Sequence, residues 1–257
     1  MSDTRADEFA AYSLRWSDEF DGPAGSPVDR RIWQPETGGH GWGNAELQYY
    51  TDSTANAALD GAGNLAIMVR QADPGEYGGC AYTSARLISK DRMTVRYGLV
   101  EARIQVPRAL GFWSACWMLG QDIDAVGWPR CGEIDMMEHF GTGPAVIQGT
   151  AHGPGFSGGQ GIAGSHEVGP SLDGDFHTYA ISREPDRIRW YADGALYHTL
   201  TPANLHGRRW VFDHDFYVLL NVAVGGTASR RPDGSVSFPQ TMLVDYVRVA
   251  SPRSAAR

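Results

Sequence analysis

The chain has 257 residues and a net charge of −8 with acids and bases interspersed, so no basic stripe points to nucleic acid. Its apolar runs are too short to span a bilayer, the longest, Phe216 to Leu220, being broken by Asn221. Three cysteines, Cys80, Cys116 and Cys131, are too few and too unevenly spaced for a disulfide framework or a zinc site.

Strand-like runs follow one another along the whole chain. In order they are Leu14–Phe20, Asn64–Arg70, Ala85–Ser89, Tyr97–Val106, Phe112–Leu119, Glu133–Glu138, Val146–Gly149, Thr178–Ser182, Ile188–Ala192, Leu196–Leu200, Phe216–Val224 and Met242–Val249. Turn signals at Asp60-Gly61, Pro74-Gly75 and Asp233-Gly234 separate them. RIRWYADGALYHTL, from Arg187 to Leu200, reads as a hairpin, with Asp193-Gly194 supplying the positive φ of a type I′ turn. No strand–helix–strand repeat appears, which disfavours a parallel α/β fold. The pattern predicts one all-β domain over 1–257, a sandwich of two antiparallel sheets, with residues 1–12 and 251–257 as loose ends. The glycine-rich stretch Gly149–Gly169 reads as a loop. Within it, GFSGG and GQGIAG match a nucleophile elbow and a dinucleotide fingerprint only in letters, because neither has the strand and helix that each motif needs. The start, MSDTRADEFAAYSLRW, lacks the basic and apolar regions of a signal peptide.

The chemistry concentrates in GEIDMMEHFG. On a regular strand Glu133, Asp135 and Met137 share one face, and Glu138 falls on the other. A β-bulge at Met136-Met137 would return Glu138 to the face of Glu133. Four effective steps then put the two backbones roughly 13 Å apart. Side chains inclined toward each other bring the carboxyls to about 5 Å, the separation of a retaining glycosidase. Asp135 lies between them, where its charge raises the pKa of the acid. Three carboxylates flanked by Ile134, Met136 and Met137 are costly to bury, and catalysis is the usual reason to tolerate them.

GEIDMME resembles the E-x-D-x-x-E signature of glycoside hydrolase family 16, in the bulged form typical of laminarinases rather than the shorter form of lichenases. LRWSDEFDG, GGHGWGNAELQYYT, YTSARLISK, YGLVEARIQVP, WMLG, TAHGPGFSGG, DFHTYAI, FYVLLNVAVGG and FPQTMLVDYVRV resemble laminarinase segments in the same order, across nearly the whole chain. The resemblance implies a jelly-roll β-sandwich with a substrate cleft on its concave face. It implies retaining endo-hydrolysis of a β-1,3-glucan, with Glu133 as nucleophile, Glu138 as acid/base and Asp135 in support. It also implies substrate-binding roles for Asn44, Glu46, Arg86, Trp113, Trp117, Trp128 and His152, although Ser114 stands where the family usually has proline. No cofactor is implied for catalysis. A structural Ca²⁺ held by Glu19, the Gly63 carbonyl and Asp245 is implied, as are secretion, a monomer and no membrane partner. Mixed-linkage glucan, a galactan, or glucan binding without turnover remain as alternatives.

Overall fold

The computed structural model describes residues 11–107, 109–141, 145–169, 172 and 174–253. Its strands are β1 (Tyr12–Asp18), β2 (Gln34–Glu36), β3 (Gln48–Tyr50), β4 (Ala57–Leu59), β5 (Leu65–Gln71), β6 (Tyr82–Ser84), β7 (Arg86–Ile88), β8 (Thr94–Val95) and β9 (Gly98–Gln105). They continue as β10 (Phe112–Gly120), β11 (Glu133–His139), β12 (Val146–His152), β13 (Ile162–Glu167), β14 (His177–Glu184), β15 (Arg187–Ala192), β16 (Ala195–Leu200), β17 (Phe216–Val224) and β18 (Gln240–Pro252). One short helix, α1 (Ile123–Val126), lies between β10 and β11.

The strands form two sheets. One runs β16-β15-β14-β9-β18-β5-β6-β3, with β1 on β18 and β4 on β5; the other runs β13-β12-β11-β10-β17-β7-β2, with β8 on β17. Among the described residues the antiparallel expectation holds with one exception, the parallel pair β3 and β6. Alternation explains the layering. On β9, Val100, Ala102 and Ile104 enter the core while Glu101, Arg103 and Gln105 stay partly exposed. From the facing sheet, Cys116 and Met118 of β10 and Val218, Leu220 and Val222 of β17 join the same core. Burying a side chain such as Leu220 contributes roughly 1.5–3 kcal/mol.

β17 is buried along its whole length because both of its faces are covered. Tyr217 and Leu219, on its other face, pack with Ile88, Leu119 and Cys131 in a second apolar cluster. Asn221, which interrupts the apolar run, shares that face. The three cysteines are free thiols, and Cys116 is fully buried.

Every strand expected from the sequence is present. The hairpin turn is as expected too, with Asp193 and Gly194 both at positive φ. Two expectations need correction. Tyr12 and residues 251–252 are not loose, since Tyr12 pairs with Pro252 in the β1–β18 ladder; residues 1–10 and 254–257 lie outside the described residues. The stretch 149–169 is not one long loop. β12 continues to His152, and Ile162–Glu167 forms the edge strand β13. GFSGG and GQGIAG bracket a 3₁₀ turn at Gly158–Gln160 and the entry to that strand, which is neither helical context those motifs require.

Candidate active site

β11 carries the bulge that its sequence requires. Against β10, Asp135 faces Trp117 and Met137 faces Cys116, leaving Met136 without a partner. Against β12, three steps from Asp135 to Glu138 are matched by two from Thr150 to Gln148. The consecutive residues Met136 and Met137 therefore both turn into the core, where each is completely buried. Glu138 then emerges on the face of Glu133 and Asp135. All three carboxyls line one cavity of about 780 Å³.

Each carboxyl has its own set of partners. Glu133 accepts a 2.7 Å hydrogen bond from Trp128 Nε1. Its other oxygen stands 3.7 Å from His152 Nε2, which lies 3.2 Å from Asp135 Oδ2. Glu138 accepts from Trp113 Nε1 at 3.2 Å and from Thr150 Oγ1 at 3.0 Å. Gln148 Nε2 donates to that same Thr150 hydroxyl at 3.0 Å. His152 is cross-strand from Glu133. Its ring fits because position 161 is glycine: a Cβ there would stand 2.4 Å from His152 Cε1.

Burial first, and the Asp135 charge second, push the Glu133 carboxyl up to about 8, against the Trp128 hydrogen bond and the His152 ring. Burial likewise pushes Asp135 up to about 8, opposed by its hydrogen bond with Glu133. Glu138 is held well above the usual carboxylate range by burial and then by Asp135. Three carboxyls this close do not readily all ionise together, which favours a proton held among them. Such a set has one member able to donate a proton and another able to attack an electrophile.

A second set of residues extends the cavity. Glu46, nearly buried, accepts hydrogen bonds from Gln48 Nε2 at 2.7 Å, Asn44 Nδ2 at 3.1 Å and the Tyr50 hydroxyl at 3.2 Å. Tyr50 in turn accepts from Asn221 Nδ2 at 3.1 Å, and Asn221 Oδ1 accepts from Trp117 Nε1 at 2.7 Å. The Arg86 guanidinium lies between the rings of Trp42 and Trp117, 4.7 Å from each centroid, and bonds Glu36 at 2.5 Å. Trp128 is about half exposed and forms part of the cavity wall, where a ring face is open to a ligand.

The structure thus brings Asn44, Glu46, Arg86, Trp113, Trp117, Trp128 and His152 to the same cavity as the three carboxyls. It adds Trp42, Phe140, Gln148, Thr150 and Asn221, which sequence reasoning did not single out. Asn221 had a visible signal, a lone amide inside FYVLLNVAV. Trp42 had a weaker one, an aromatic between two glycines in GWGN.

The two carboxylates of the expected calcium set, Glu19 and Asp245, are each engaged by an arginine. Glu19 accepts two hydrogen bonds from Arg248, at 2.9 and 2.7 Å, and Asp245 accepts from Arg103 at 2.6 Å. Guanidinium charge already neutralises both carboxylates, so these side chains do not fit Ca²⁺. Among the described residues, the one grouping of three His, Cys, Asp or Glu side chains close enough for a metal is Glu133, Asp135 and His152, in the cleft itself.

The sequence matches glycosyl hydrolases family 16 over residues 42–247. It is 41% identical over 259 residues to a beta-glucanase of Rhodothermus marinus, covering 97% of this chain and 88% of that protein. The fold matches the laminarinase catalytic domain of Thermotoga maritima MSB8 with a TM-score of 0.87 and 44% identity, covering 95% of this chain and 99% of that one. It matches an endo-beta-1,3-glucanase of Pyrococcus furiosus with a TM-score of 0.88 and 43% identity, over 95% of this chain and 96% of that one.

Proposed function

The chain belongs to glycosyl hydrolases family 16, and from that membership and the geometry of its cleft we propose that it cleaves internal β-1,3 bonds of a laminarin-like glucan with retention of configuration. The observation that carries this reading is the bulge at Met136, which sets Glu133 and Glu138 on one face with Asp135 between them.

In the first step Glu133 attacks the anomeric carbon while Glu138 gives its proton to the departing glycosidic oxygen. The ester between Glu133 and the sugar is the intermediate. In the second step Glu138, now ionised, takes a proton from water, and that water displaces Glu133 from the anomeric carbon. The Trp128 N–H holds one Glu133 oxygen and so helps to orient the carboxyl for attack. Asp135 shares a hydrogen bond with Glu133, and burial, with Asp135 second, favours a protonated Glu138 at the start. The chemistry needs no cofactor, because the two glutamates supply nucleophile and proton. Trp113 and Trp128 offer flat faces to the apolar sides of glucose rings.

Among the described residues no helix is long and apolar enough to cross a membrane. A polymeric glucan does not enter cells through a bilayer, so we propose that the enzyme acts outside the cytoplasm, as a secreted monomer. The test is hydrolysis of laminarin and of lichenan, with products sized and the new anomeric centre followed by proton NMR. The expected result is oligosaccharides from laminarin that appear first as the β-anomer. First appearance of the α-anomer would overturn retention, and preferential cleavage of lichenan would overturn the substrate. Tight binding without any product would leave a glucan-binding protein.

A further inference from the structure

The carbonyls of a regular strand lie in the plane of the sheet and point at neighbouring strands. The Asp135 carbonyl does not. It accepts a 2.8 Å hydrogen bond from Nε1 of Trp190, a fully buried residue on β15 of the opposite sheet. A donor from the facing layer reaches this oxygen only if the carbonyl is turned into the core. Asp135 is the residue immediately before the unpaired Met136. The bulge that turns Glu138 into the cleft thus also turns a backbone acceptor inward, where leaving it unpaired would be costly.

We infer that Trp190 is a positioning residue for the catalytic carboxyls, holding the bulge of β11 through the Asp135 carbonyl. The surroundings are shaped for this reach. A Cβ at Gly149 of β12 would stand 2.4 Å from Trp190 Cδ1 and 2.8 Å from its Nε1, so the indole passes where a side chain is missing. Behind the indole, the His198 ring packs at 4.7 Å. His198 is set there by an irregularity in the other sheet. Trp190 faces His198 and Tyr191 faces Leu196, so Tyr197 is an extra residue in β16. The Trp190 indole thus contacts a residue beside each of two bulges, the Asp135 carbonyl next to Met136 and the His198 ring next to Tyr197. Trp190 touches no substrate; its effect on the reaction runs through the backbone of Asp135, the residue between the two glutamates.

This inference rests on the proposed hydrolysis, and Trp190→Phe tests it, keeping most of the ring volume and removing the donor. On laminarin kcat is expected to fall roughly tenfold to hundredfold, because small misplacements of reacting groups are expensive. KM should stay within about twofold, as no side chain of the cavity lining is substituted. Both limbs of the pH–rate bell should move, since the spacing of the three carboxyls sets their coupled titration. A fall in thermal stability with none of these changes counts against the inference, because any core substitution produces one. If Trp190→Phe does not fold, 3-benzothienylalanine placed at position 190 replaces the N–H by sulfur in a ring of the same shape. ¹³C titration of the side-chain carboxyls reads the same geometry with no substrate present. Absence of hydrolysis by the unsubstituted enzyme therefore counts against the function, and the titration still decides the inference. A folded variant with unchanged kcat, pH profile and carboxyl titration overturns it.

Discussion

Carboxylates meet opposite fates in two parts of this molecule. On β11, Glu133, Asp135 and Glu138 are buried side by side, and all three are pushed above their ordinary pKa. Beyond the other sheet, Glu19 faces Arg248, whose hydrogen bonds pull its carboxyl below the usual value, and Asp245 faces Arg103. The difference lies in where the guanidinium goes. The arginine of the cleft, Arg86, is tied to Glu36 and sandwiched between two indoles, so its charge weighs less on Glu133 than burial and Asp135 do. Glu19, hydrogen-bonded by its arginine, is held charged. Acids buried side by side in a cleft are held near the point where a proton comes and goes, which acid–base catalysis requires.

The comparison breaks most sharply by swapping one acid at a time. Glu133→Gln and Glu138→Gln should each lower turnover on laminarin by about a thousandfold or more with the fold intact, since one removes the attacking oxygen and the other the proton donor. Glu19→Gln should leave kcat and KM at their original values. Reducing-sugar release by the three variants decides it. If Glu19→Gln impairs catalysis as much as either cleft substitution, the two regions are not functionally distinct.

Trp128→Phe sharpens the comparison within the cleft, because Trp128 gives Glu133 the hydrogen bond that an arginine gives Glu19. The variant keeps a stacking face and loses the 2.7 Å bond to Oε2. A hydrogen bond to a charged group contributes about 1.5–3 kcal/mol, and the half-exposed setting reduces that, so kcat/KM should fall about tenfold. The acidic limb of the pH profile should shift upward as Glu133 loses a donor that favours its charge. Steady-state kinetics across pH would show this, and an unmoved acidic limb would mean that Trp128 only provides surface.

Much of this contrast was readable before any fold was known, and the unreadable part has a common cause. Glu138 sits out of phase with Glu133 and Asp135, so the strand had to bulge at Met136-Met137 for the glutamates to cooperate. Local periodicity carries that information. The sandwich was readable for the same reason, from alternation and the Asp193-Gly194 turn. Partners distant in sequence were not. Glu19 and Asp245 look like free acids in sequence, and their arginines lie 229 and 142 positions away. Asn221 was visible as a polar break, but its role depends on Tyr50, 171 positions away. β13 was missed because IAGSHE alternates weakly, and its Gly164 answers to the His198 ring of the other sheet, which a Cβ would meet at 2.6 Å.

The smallest effect reads the two regions through stability alone. Glu133 has a folded value of about 8 against an ordinary 4.5. A raised acid contributes stability that is complete below about 4.5 and is lost as pH climbs through 8. Glu133→Gln removes that loss, so its melting temperature should equal that of the unsubstituted protein near pH 4 and exceed it by a few degrees above pH 8. Glu19 has the opposite sign. Its lowered pKa contributes stability that is present above its ordinary value and lost as pH falls through the folded one. Glu19→Gln should therefore melt about 1–2 °C lower at neutral pH, the scale of an exposed ion pair, with the deficit vanishing under strong acid. Melting curves from pH 3 to pH 9 give two difference plots, both expected to diverge from zero as pH rises, one upward and one downward. If both difference plots fall with rising pH, the cleft acids are stabilised as charges like the outer ones, and the proton held among them is not there.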